Sequence, residues 1–344
     1  MIAEPPAFAD AMVRSAVASA LAEVAPTPES DFASVAETHW QLAVRMGWTA
    51  TMIAESNGGL GLGLGYVADV CEEAGRNLFC GPLLETAVLL PLVARETGAL
   101  SDLLPGIVSG DVRAAYAEAG FDDHPAALSL SPVEHAAGAT HVCHLEERAG
   151  SLRVAIIEAD NAAFTDLQAM DPSASVARVD VADRSACLGF VLDAPAAERV
   201  LTALHVAVAA DLLGVGEAAL SRTVEHVRER RQFGQPIGAF QAIKHRLADV
   251  YTALRAARLS IACAVGASGT FRDARIARVL AADAALRATS AAIQLHGGSG
   301  FSWEIDAHLF LKRARRLGAR NGGTSRLRRA SGDDYIDRAI SAAP

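Results

Sequence analysis

Cysteine is scarce in this chain of 344 residues: Cys71, Cys80, Cys143, Cys187 and Cys263, with no C-x-x-C pair. The odd count and wide spacing argue against a disulfide framework. They point to free thiols in a reducing compartment, acting as small buried hydrophobes. The N-terminus has no basic stretch ahead of an apolar core, so no signal peptide is expected. No apolar run approaches the roughly 18–20 residues of a membrane span. A cytoplasmic protein without a membrane partner is the expectation. Proline is nearly missing from the last part: between Pro195 and Pro344 only Pro236 interrupts. Proline inside a helix costs about 3 kcal/mol, so that span is free to be helical.

What is present fits a folded, mostly helical protein. Half the residues are hydrophobic (51%) and a fifth charged (21%), which excludes a disordered chain. Alanine is abundant, and 344 residues can bury a large core in two or three domains. The net charge of −9 argues against nucleic acid. That charge is unevenly spread. Residues 220–344 hold 21 Lys/Arg against 10 Asp/Glu, whereas residues 1–219 hold 10 against 30. A basic helical region suits phosphates on a ligand or an acidic partner, although solvated helix faces account for most such charges.

Apolar spacing predicts helices over 7–25, 32–46, 66–78, 83–97 and 101–109. The glycine-rich Ala54–Gly63 follows no strand and carries no Lys-Ser/Thr, so it reads as a turn between helices, not a phosphate loop. From Asp111 the texture becomes β-prone, with runs at 112–117, 127–130, 141–145, 152–158 and 176–181 separated by turn formers. Helices return over 196–231 (one long helix, with Gly214-Val215-Gly216 as the place where it could kink), 240–261, 272–295, 303–316 and 325–340. The expected fold is mainly α with a central β domain. A helical domain spans 1–110, an antiparallel barrel or sandwich 111–194, and a helical bundle 195–344.

Two motifs stand in the bundle: Arg230-Arg231-Gln232-Phe233-Gly234-Gln235-Pro236-Ile237-Gly238-Ala239-Phe240-Gln241 and Gln294-Leu295-His296-Gly297-Gly298-Ser299-Gly300-Phe301. Arginine offers a fork for two phosphate oxygens, and glycines let backbone N–H groups approach them. A helix cap without a ligand is the bland alternative for Gly297-Gly298. The two motifs together, with Trp48 and the Gly58-Gly59-Leu60-Gly61 turn, resemble the acyl-CoA dehydrogenase family over almost the whole chain. The resemblance implies FAD shared between subunits, with the flavin ring in one and the diphosphate reaching the neighbour. By position it carries FAD contacts onto Arg230, Gln232, Phe233, Gln241, Gln294, Leu295, Gly297, Gly298 and Thr324. It also implies an acyl-CoA substrate and an electron-transferring flavoprotein as acceptor.

The pattern breaks at the base. The family's glutamate takes the α-proton of the thioester while hydride leaves for the flavin. Here the matching positions hold Asn321 or Gly322, and the alternative position on the long helix holds Leu204, with His205 beside it. The Thr-Glu-Pro and Gly-Ser-Asp segments are replaced by Ala117-Glu118-Ala119-Gly120-Phe121-Asp122-Asp123, and no Trp lies between Trp48 and Trp303. This resembles the short non-catalytic subunit of heteromeric α2β2 acyl-CoA dehydrogenases of bacterial steroid and bile-acid side-chain degradation, as does Trp303–Arg313. In that reading no catalytic residue lies in this chain, and a homologous partner supplies the glutamate. Two alternatives stay open: a self-sufficient flavoenzyme with His205 as base, and an assembly subunit without a flavin role. Glu304, Asp306 and His308 read as a helix face, not a metal site.

Overall fold

The computed structural model describes residues 7–117, 128–148 and 150–341. The helices are α1 (Ala11–Ala22), α2 (Phe32–Arg45), α3 (Leu64–Arg76), α4 (Leu90–Thr97), α5 (Leu104–Ser109), α6 (Ala194–Glu229), α7 (Gln241–Val265), α8 (Phe271–His296), α9 (Ala307–Ala319) and α10 (Gly323–Ser341). Strands β1 (Ala114–Ala117), β2 (Leu128–Glu134), β3 (His141–Arg148), β4 (Ser151–Glu158), β5 (Ala163–Leu167), β6 (Val176–Val181) and β7 (Leu188–Leu192) lie between α5 and α6. Two short strands, β8 (Arg231–Gln232) and β9 (Gln235–Pro236), follow α6. The chain is thus mainly helical around a central sheet.

The chain divides into two compact units. One gathers the residues up to Ser30, Ala68–Phe79 and those from His205 onward; the other holds Asp31–Val67 and Cys80–Leu204. In the second unit the strands form one sheet ordered β5-β6-β2-β1-β3-β4-β7. Alternate residues Leu128 and Leu130 on β2, and Ala177, Val179 and Val181 on β6, bury one face with Val142 and Ile157. The expected antiparallel barrel or sandwich is instead a single mixed sheet. After β2 turns back along β1, β3 takes β1's other edge and runs parallel to it. Strands β5 and β7, which composition does not reveal, are the two edges, and most of their residues are exposed. Residues 118–123, where the altered acidic segment falls, lie outside the described residues. The Gly58 turn stands as expected. Gly58 and Gly61 take φ of 81° and 60°, and a Cβ on Gly59 would meet the Ile53 carbonyl at 2.1 Å.

Helix α6, which from His205 onward belongs to the first unit, runs 36 residues without a kink near Gly214. Gly214 and Gly216 serve close packing instead. A Cβ on Gly214 would lie 1.8 Å from the Glu72 carbonyl oxygen, and one on Gly216 would lie 2.6 Å from Leu254 Cδ2. Alanines 274, 277, 281, 284, 285 and 288 line the buried side of α8, whose start is fixed by a Thr270–Asp273 capping box. Buried charges are paired across the unit. Glu72 Oε1 lies 2.6 Å from Arg14, 3.0 Å from Arg76 and 2.5 Å from Arg258, and Asp211 lies 2.6 Å from Arg313. By length and composition α6 does hold a stretch apolar enough to cross a membrane, contrary to the sequence expectation, but 94% of that window is buried inside the protein. Its scattered Glu, Asp and His residues hide the stretch from a search for unbroken apolar runs. All five cysteines are free; Cys71, Cys80 and Cys143 are buried as expected, Cys187 is half-buried, and Cys263 is exposed on α7.

Candidate functional site

The first motif folds as a helix end turned back by a hairpin. The Arg230 amide still bonds to His226 O at 2.8 Å, and the Ile237 amide returns to Arg230 O at 2.8 Å. Between them Arg231 pairs with Pro236 and Gln232 with Gln235. The two turn residues, Phe233 (φ 51°) and Gly234 (φ 80°), are both left-handed, as a two-residue type I′ hairpin requires. Asparagine suits the first position; a phenylalanine there is strained. Its ring is 91% exposed and stands edge-on to Phe240, with centroids 6.1 Å apart. Gln241 then opens α7. Arg230, Gln232 and Gln241 are exposed, and their side chains make no hydrogen bond or ion pair among the described residues.

The second motif ends α8. Gly297 takes φ 65° and ψ −135°, a conformation for glycine alone, and closes the helix, so the cap reading holds for it. Gly300 serves packing: a Cβ would lie 2.6 Å from Ile293 O. Gly298 has neither reason. Its φ is ordinary, and a Cβ would meet nothing within 4 Å. Gln294 is exposed beside it, and Leu295 is half-buried.

Two histidines join the motifs. His226, one turn before Arg230, stacks on His296, one residue before Gly297, with ring centroids 4.1 Å apart. A second tie follows, as Arg222 pairs with Asp306 at 3.0 Å and covers the Phe310 ring. A groove of about 590 Å³ runs between α7 and α8, lined by His245, Arg246, Asp249, Arg287, Ser290 and Gln294. Thr324, near the start of α10, makes no hydrogen bond to these residues among those described. The polar residues that the structure sets beside the motifs and that sequence reasoning did not single out are His226, His245 and Arg287. Spacing carried a signal for two of them: His226 is four residues before Arg230, and His245 four after Gln241.

The positions expected to hold a base converge on a different group. Arg278 is fully buried. Its Nη2 donates to Arg320 O at 2.7 Å and Leu317 O at 3.2 Å; its Nη1 donates to Asn321 Oδ1 at 3.3 Å and to His205 Nδ1 at 3.4 Å. Asn321 (φ 56°), Gly322 (φ 76°) and Gly323 (φ 71°) are successive left-handed residues that end α9. A Cβ on Gly322 would meet Arg326 Cδ at 2.7 Å. His205 is buried and stacks on Phe271. Burial, then the guanidiniums of Arg278, Arg275 and Arg326, hold its imidazole well below the usual histidine range. Leu204 is buried and apolar. Asn321, Gly322 and Leu204 carry no group that could accept the proton, and the imidazole of His205 is a poor proton acceptor in this setting. Nor is there a metal cluster among the described residues. Asp306 is tied to Arg222, and His308 is buried against Trp303.

Comparison with known proteins agrees with this anatomy. Residues 195–332 match the family described as acyl-CoA dehydrogenase, C-terminal domain. Acyl-CoA dehydrogenase IpdE2 of Mycobacterium tuberculosis is 34% identical over 322 residues, covering 88% of this chain and 90% of that protein. The chain belongs to the acyl-CoA dehydrogenase family. Among solved structures, the Tcur3481-Tcur3483 steroid ACAD superposes with a TM-score of 0.83 at 26% identity, covering 96% of this chain and 98% of that one. The ChsE4-ChsE5 complex of M. tuberculosis gives a TM-score of 0.78 at 24% identity, covering 98% and 100%, which shows the shared fold. For this acyl-CoA dehydrogenase homologue, membership implies FAD. The residues present fit one end of it: an arginine and three glutamines unengaged among the described residues, and a glycine with no structural reason of its own.

Proposed function

We propose that this chain is a subunit of an FAD-dependent acyl-CoA dehydrogenase that holds the flavin's diphosphate end while a homologous partner carries the base. One contrast carries the proposal. Arg230, Gln241 and Gln294 are exposed and unengaged among the described residues, while Asn321 and His205 are committed to the buried Arg278. Polar side chains without internal partners suit an external ligand; an amide bonded to a guanidinium cannot take a proton.

When bound, FAD supplies the acceptor for the hydride that leaves the β-carbon of an acyl-CoA thioester. This chain's part is binding. The Arg230 fork bonds two oxygens of a diphosphate, and the open Gly298 backbone admits close approach. Gln241 and Gln294 offer neutral donors and acceptors to the nucleotide's polar groups. The α-proton falls to a carboxylate on the partner. A steroid acyl group is supported by the likeness to the steroid ACAD at 26% identity, and an electron-transferring flavoprotein is the proposed acceptor.

Co-expression with a homologous acyl-CoA dehydrogenase chain tests the reading. The pair should retain flavin and activity, Arg230→Ala should lower flavin retention, and this chain alone should show no dehydrogenation. Full activity of the isolated chain contradicts it. Unchanged flavin in the Arg230→Ala complex favours an assembly role instead.

A further inference from the structure

The stacked histidines do more than tie two helices together. His296 Nδ1 lies 2.7 Å from Ala292 O; a carbonyl only accepts, so this nitrogen carries the proton and Nε2 keeps a lone pair. The Leu295 carbonyl favours a proton on His226. A neutral His226 keeps one unprotonated nitrogen beside the Arg230 motif. A lone pair repels phosphate oxygens; an N–H⁺ bonds them. His226 and Arg230 are four residues apart on one helix face.

We propose that His226 is a third cation of the diphosphate-binding surface, so that this chain grips a nucleotide diphosphate more tightly when His226 takes up a proton. The inference rests on the site reading above and deepens it. The charges around His226 set its sign. From α8, His296 faces it at 4.1 Å. At the end of α6, Arg230 opposes protonation and Glu229 favours it, while Arg222 is paired with Asp306. Burial, the His296 ring and Arg230 together hold free His226 below the usual histidine range. A diphosphate carrying two negative charges offsets that repulsion, so ligand and proton bind together.

The test uses the full chain and ADP-ribose, whose diphosphate diester keeps its charge through neutral pH. Histidine ring resonances are followed by NMR across pH, with and without millimolar ADP-ribose. The His226 midpoint should rise by about one pH unit on binding, and affinity should be roughly threefold tighter near pH 6 than near pH 8. His226→Gln keeps a polar side chain without a titrating group and His226→Phe keeps the stack; both should flatten the pH dependence. If Arg230→Ala abolishes binding but the His226 midpoint and pH profile do not move, the inference fails and the site reading survives. If ADP-ribose shifts nothing at either pH, or binds regardless of Arg230→Ala, both fail.

Discussion

His205 separates a subunit without a base from a self-sufficient enzyme, and it can be tested through stability and catalysis together. Its imidazole is 2% exposed, accepts from Arg278 and is held neutral. The native pKa is depressed, so the unfolded chain binds more protons than the native one wherever pH lies below the unfolded value, about 6.5. Stability is therefore full above that value and falls as pH drops toward the native pKa, by up to about 1.4 kcal/mol per pH unit for this one group. Urea unfolding near pH 7.5 and near pH 5.5 measures the loss. His205→Gln retains an acceptor for Arg278 but cannot titrate, so it should lose about 1 kcal/mol less over the interval than the parent chain. In the assembled complex the same variant should keep turnover within about twofold. A catalytic base would instead cost on the order of 10² or more. Parallel acid losses in both proteins refute the electrostatic argument, and a collapse of turnover refutes the assignment.

Gly298→Ala should change unfolding free energy by less than about 0.5 kcal/mol, since nothing meets its Cβ, yet lower flavin retention of the complex. Phe233→Asn should stabilise the type I′ turn by up to about 1 kcal/mol in urea melts, because asparagine tolerates the left-handed region, while also lowering flavin retention. Gly214→Ala should destabilise by about 3 kcal/mol by the same assay, as its Cβ would enter the Glu72 carbonyl. Asn321→Glu should leave the isolated chain inactive, because the new carboxylate would pair with the buried Arg278; measurable dehydrogenation would count against that cluster's role.

The helical parts were legible because apolar spacing and missing proline constrain helices locally. α7 and α8 fall where the periodicity puts them. The edge strands β5 and β7 were not, since neither buries a regular face. Gly214 misled because a glycine inside a helix signals a kink or a close crossing equally well, and only the Glu72 carbonyl decides. The motif residues stood out in the sequence by their chemistry. Their linkage through His226 and His296 was not, because ring stacking between two helices leaves no spacing rule across 70 residues of chain. Asn321 could be read as a missing base, whereas its commitment to Arg278, 43 residues earlier, needed the fold.

The most direct measurement is flavin counted per chain in the complex of this protein with its homologous partner. One FAD per pair of unlike chains, lost on Arg230→Ala here, is the predicted result. One FAD per chain, or a count unaffected by Arg230→Ala, contradicts the division of labour.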